Sequence, residues 1–141
     1  MSTADELASV LFELDEASLT TRAMTARITR AVVEWALANG WAPRTEARVD
    51  AGQLGFLDVI VHRPDGQPDL AIEIDSTDKI WSVAKLRHAV AAGMEGIWVR
   101  WGDEAWAGAF DEVDVIQLQS LRRSAHRPRS DDQLSFWSRL L

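Results

Sequence analysis

The feature that most constrains this chain is a change of hydrophobic period near residue 40. Before it, Met24, Ile28, Val32 and Trp35 recur at steps of four, four and three, the spacing of one helical face. After Pro43 the period becomes two. Phe56, Asp58, Ile60 and His62 alternate with Leu57, Val59 and Val61, and Leu70, Ile72 and Ile74 alternate with Ala71, Glu73 and Asp75. A helix-period segment cannot sit as a strand, nor the reverse, so the chain must pack a long helix against a sheet.

The remaining elements follow from the same rules. "ADELASVLFELDEA" reads as a short first helix with Leu7, Val10, Leu11 and Leu14 on one face. Ser18 or Thr20 caps the long helix, which Asn39-Gly40 stops. "RTEARVD" reads as a partly exposed strand, and "GFLDVIVHR" and "LAIEIDS" as two more. "PDGQPD" supplies turn chemistry between those two, centred on Asp65-Gly66. Ser76, Thr77 or Asp78 caps a further helix with Ile80, Val83, Leu86 and Val90 inward, ended by Gly93. "GIWVRW" is a buried strand and "DEVDVIQLQS" another. "RRSAHRPR" reads as a basic loop and "DDQLSFWSRLL" as a short terminal helix. Three strands joined by turns, then a helical crossover to a fourth, imply a mixed α/β sheet of four or five strands covered by helices. The length, 141 residues, suits one domain. Its core is expected at about 19–101, with the last strand, basic loop and helix at 111–141.

Composition narrows the function classes. The chain has no cysteine, which excludes disulfides and thiolate metal sites and fits a cytoplasmic protein. No signal peptide and no apolar run of about 18 residues is visible, so no membrane is expected. The net charge is −7, so any nucleic-acid contact must be local. Residues 1–16 carry five acids and no base, whereas "RRSAHRPR" holds four arginines and is the best phosphate-contact stretch by composition. No HExxH, nucleophile elbow or phosphate-cradling glycine loop occurs. His62 and His88 are isolated. Among seven tryptophans, Trp81, Trp98 and Trp101 are the ones considered for stacking on a base.

The chemistry concentrates in "DLAIEIDSTDKIWSVAKLR". Both lysines of the chain, Lys79 and Lys85, lie here among 15 basic residues. A hairpin centred on Asp65-Gly66 pairs residues whose numbers sum to about 131, which sets Asp58 opposite Glu73. Asp75 shares the face of Glu73, two residues on. Three clustered carboxylates repel one another unless compensated. A hard divalent cation is the usual compensation, and Mg²⁺ favours one or two carboxylates plus water and phosphate oxygens. A neighbouring lysine completes the parts of metal-assisted phosphodiester hydrolysis. An exposed sheet face carrying ordinary charges is the simpler alternative, but Asp58 shares its face with Phe56 and Ile60, and Glu73 with Ala71.

Helix, three strands, helix, strand, with an acid in the second strand and an acid-x-x element in the third, resembles the PD-(D/E)xK nuclease superfamily over about residues 19–101. The resemblance implies a restriction-endonuclease-like fold with an α-β-β-β-α-β core. It implies Mg²⁺-dependent (or Mn²⁺-dependent) hydrolysis of DNA with water as nucleophile. By position, Asp58 matches the first metal-binding aspartate and Glu73 the acid of the (D/E)xK element, with Asp75 as a further ligand. Glu34 matches an extra acid that some members carry late in the long helix. Asp58 follows Leu57 rather than proline, and the literal Pro68-Asp69 lies in the turn. The motif's lysine position is Asp75, so the lysine is substituted or relocated to Lys79 or Lys85. The same fold can lose its chemistry and persist as a DNA-binding or protein-interaction module. Homodimers and larger protein systems stay open as partners, including an effector- or immunity-type complex formed through the acidic first helix and the terminal helix.

Overall fold

The computed structural model describes residues 1–14, 20–48, 55–76, 80–102 and 112–118. Helices α1 (Thr3–Leu11) and α2 (Thr21–Ala38) precede strands β1 (Ala42–Arg48), β2 (Phe56–His62) and β3 (Leu70–Asp75). Helix α3 (Ile80–Ala91), β4 (Glu95–Trp101) and β5 (Val113–Leu118) complete the order. The strands form one five-stranded mixed sheet in the order β1-β2-β3-β4-β5. β1, β2 and β3 are antiparallel neighbours, and β4 and β5 run parallel to β3. Among the described residues three helices flank this sheet. The expected basic loop and terminal helix lie outside the described residues, as do Lys79, Thr77 and Asp78.

Local chemistry accounts for the helix ends. Ser2 and Asp5 close a reciprocal capping box on α1, with the Ser2 hydroxyl accepting from the Asp5 N–H at 3.1 Å. Thr20 caps α2 by accepting from Ala23 N–H, also at 3.1 Å. Asn39 closes α2, and Gly40 turns the chain out at φ +79°, a left-handed conformation that glycine adopts without a Cβ clash.

Helices cover both faces. On one, α1 and α2 bury Leu7, Leu11, Met24, Ile28, Val32 and Trp35 against Val59, Val61, Leu70, Ile72, Ile74, Ile97 and Val99. Each such side chain, removed from water, stabilises the fold by roughly 1.5–3 kcal/mol. On the other, α3 packs Val83, Leu86 and Ala89 on Ile60, Ala71 and Trp98. Gly96 permits this close approach, since a Cβ there would stand 3.0 Å from Val90 Cγ2.

Three expectations change. β1 starts at Ala42 and carries Pro43 within it. That is tolerated because β1 pairs only with β2 and needs no ladder donor on its outer side. In α3, Ile80 is exposed and Ser82 and Ala89 are buried, because small residues let the helix lie close to the sheet. Leu57 does not share a face with Val59 and Val61. It packs with the α3 cluster, and they pack with the α2 cluster. Across the ladder from this irregularity, Glu46 has φ +48°. Pairing holds on either side of it, Thr45 with Val59 and Ala47 with Leu57. A left-handed residue inside a strand breaks the two-residue alternation at that point, and Asp58 is the residue facing the break.

At the opposite end of the sheet, buried Arg63 ties three elements together. Its Nε donates to the Pro68 carbonyl at 2.6 Å, its Nη1 to Thr3 Oγ1 at 3.2 Å, and its Nη2 lies 3.4 Å from Glu95 Oε2. The guanidinium also stands 5.2 Å from the centre of the Trp41 ring. Asp69, of the literal Pro-Asp pair, accepts from the Arg63 N–H and contacts His62 Nδ1 at 3.0 Å. It is thus a turn residue.

Candidate active site

The β2–β3 register runs Val61 with Leu70, Ile60 with Ala71 and Val59 with Ile72, sums of 131 as the turn predicts. One step further, Asp58 stands level with Glu73, and side chains take over from the ladder. Glu73 Oε2 accepts from the Asp58 N–H at 3.0 Å, and Asp58 Oδ2 accepts from the Ile74 N–H at 2.7 Å. Each carboxylate thereby has its plane set by the other residue's strand. A carboxylate offers about four lone-pair sites, so each retains acceptor capacity.

Lys85 enters from α3. Its Nζ forms an ion pair with Glu73 Oε1 and donates to the Phe56 carbonyl at 2.8 Å. The Lys85 side chain is 17 % exposed and Glu73 is 1 % exposed. Lys85 is thus largely buried by its contacts with Glu73 and the Phe56 carbonyl. Burial is the largest force on the Glu73 carboxyl and pushes it up to about 8, helped by the adjacent Asp58 carboxyl. Lys85 pulls the other way but does not win. The net push is upward: burial and Asp58 disfavour the Glu73 charge that Lys85 favours.

Asp58, Glu73, Asp75 and Lys85 line one cleft of about 310 Å³, together with Thr21 and Thr25 of α2 and Trp81 and Ser82 of α3. The cleft opens where α2 begins and β3 ends. A second groove of about 430 Å³ adjoins it, sharing Thr25 and Asp58 and adding Thr29, Arg30, Thr45 and Glu46.

The other sequence-derived residues fall as follows. Asp75 lines the cleft, but its Oδ2 accepts from Trp98 Nε1 at 2.8 Å. It is paired across the ladder with fully buried Arg100. Burial lowers that arginine to about 10, against the opposing pull of Asp75. Asp75 thus serves a buried Trp98–Arg100 pair. Glu34 is exposed on α2 and lines neither cleft. Among the described residues, no three His, Asp or Glu side chains gather as a ready-made cation cage. Trp98 and Trp101 are buried in the sheet and offer no face to a base. Neither His62 nor His88 lines either of these two clefts. Thr21, Thr25 and Arg30 are the residues that sequence reasoning missed. Their recurrence on the polar side of α2 was the available signal.

No helix among the described residues is long and apolar enough to cross a membrane. Compared with models of protein families, with curated proteins and with solved structures, the chain matches none.

Proposed function

We propose that this protein is a metal-dependent nuclease that hydrolyses DNA phosphodiester bonds, with Asp58 and Glu73 as cation ligands and Lys85 as the relocated lysine. One observation carries the reading: two carboxylates from adjacent strands meet in a cleft beside a lysine supplied by the following helix. The element order α2-β1-β2-β3-α3-β4 also agrees with the restriction-endonuclease-like core implied by the resemblance above.

The donor set fits a hard cation. Two carboxylates with water and phosphate oxygens satisfy Mg²⁺, which does not need an all-protein cage. Burial and the neighbouring Asp58 carboxyl disfavour the Glu73 charge, a cost that a cation would offset. Such a cation would supply a Lewis acid and lower the pKa of a bound water. The chain's own residues do the rest. The two backbone N–H groups orient the carboxylates. Lys85, held between Glu73 and the Phe56 carbonyl, places a positive charge where the phosphorane charge would develop. Asp75 acts behind them, holding Trp98 beside the Glu73 strand.

An acid at the motif's lysine position favours a second reading, a catalytically silent module that binds DNA or a protein. Incubation of DNA with the wild type and Glu73→Ala, in Mn²⁺ and in EDTA, separates the two. Cleavage that needs both Mn²⁺ and Glu73 supports the nuclease. DNA binding indifferent to metal, without cleavage, supports the module.

A further inference from the structure

The proposed chemistry leaves Trp81 unexplained. It is 68 % exposed, and among the described residues no other aromatic side chain is as exposed. A single exposed apolar residue is ordinary on a protein surface. Trp81, however, lines the same cleft as Asp58, Glu73 and Lys85. It sits on α3 one helical turn before Lys85, and residues four apart lie on one helix face. The large apolar ring is therefore at the rim of the cleft that holds Asp58, Glu73, Asp75 and Lys85, not on a remote surface.

Across Asp58 the walls change character. The adjoining groove is lined by Thr25, Thr29, Thr45 and Arg30, together with the acid Glu46. Hydroxyls and arginine are phosphate and sugar partners. An aromatic face on one side of the acids and a cation with hydroxyls on the other matches one polymer, a nucleic-acid strand with its base turned one way and its backbone continuing the other. Volumes of about 310 and 430 Å³ lie in the range that encloses drug-sized ligands.

We propose, building on the nuclease reading, that the site takes an unpaired strand, with Trp81 stacking on the base next to the scissile phosphate and Arg30 holding the neighbouring phosphate. A base inside a duplex has both faces covered by its neighbours and offers none to Trp81. An unpaired base, splayed from its stack, can offer one. The buried floor of the cleft, where Glu73 lies, also requires a phosphate to descend between α2 and α3, which a flexible single strand does readily.

The test is fluorescence anisotropy of labelled oligo(dT) and of a labelled duplex, in EDTA, with the full chain. Trp81→Ala should weaken oligo(dT) binding roughly 5- to 100-fold, the range for one lost base–aromatic stack. Trp81→Phe should restore most of the affinity, and duplex binding should not change. Phe12→Ala removes an exposed ring that lines neither cleft and should have no effect. Equal oligo(dT) affinity in Trp81→Ala and wild type overturns the proposal, as does an equal loss for both DNA forms. The nuclease reading fails separately. If Trp81→Ala lowers oligo(dT) affinity but the wild type cleaves nothing in Mn²⁺, stacking stands and hydrolysis falls. If Glu73-dependent cleavage persists with oligo(dT) affinity unmoved in Trp81→Ala, the reverse holds.

Discussion

Lys85 reaches from the second turn of α3 to the buried carboxylate of Glu73 on β3. The positive charge beside Glu73 thus comes from the crossover helix, while Asp75, two residues on along β3, accepts from Trp98. Lys85→Met should therefore lower kcat by about 100-fold or more, the scale for losing one charge-stabilising donor. Lys79→Ala should change it by less than about 3-fold on the same scale. Steady-state cleavage rates of the two variants decide between the lysines. Equal losses would remove Lys85 from the role.

Glu73 makes stability pH-dependent in a definite direction. Its carboxyl is raised in the folded protein to about 8 from an ordinary 4.5. Between those values the folded state holds a proton that the unfolded state has lost. The stabilising contribution is complete below about 4.5 and gone once pH passes about 8. The slope is up to roughly 1.4 kcal/mol per pH unit. Glu73→Gln should abolish this decline. Urea unfolding in EDTA at about pH 5, 7 and 9 should show the wild type losing ground to Glu73→Gln as pH rises. Parallel curves would contradict the buried-carboxyl description.

The kink at Glu46 is a second measurable feature. A non-glycine residue at φ +48° carries strain of about 1–2 kcal/mol. Glu46→Gly should be at least as stable as the wild type. Glu46→Val, β-branched, should lose about 1–2 kcal/mol. Thermal unfolding of the pair checks the ordering, and a stabilising valine would mean that the strand is regular there.

Arg63 is the clasp at the far end of the sheet. Arg63→Ala removes its bonds to Thr3 and Pro68 and its approach to Glu95. The expected loss is about 2–3 kcal/mol, the range for buried hydrogen bonds from a charged group. Metal binding at the other end should not change, which a denaturation curve and a Mn²⁺ titration of the same variant would show.

What could be read before folding was whatever local rules decide. Asp65-Gly66 set the turn, the turn set the register, and the register brought Asp58 level with Glu73. The helical spacing of Met24, Ile28, Val32 and Trp35 identified the face that is buried. What could not be read depends on partners distant in the chain. The exposure of Ile80 and burial of Ala89 follow from how closely α3 lies on Gly96. The displacement of Leu57 to the α3 side accompanies a left-handed backbone at Glu46 across the ladder, and no property of Leu57 announces it. The contact of Lys85 with Glu73 depends on where α3 lies across the sheet, which the spacing of Lys79 and Lys85 along the chain does not fix.

The most direct test is calorimetric titration of Mn²⁺ into the wild type, Asp58→Ala and Glu73→Ala, each with a short oligonucleotide present to supply phosphate oxygens. Binding in the wild type that disappears in both variants is the expected result. Undiminished binding in the variants, or none in the wild type, would contradict a cation site at Asp58 and Glu73.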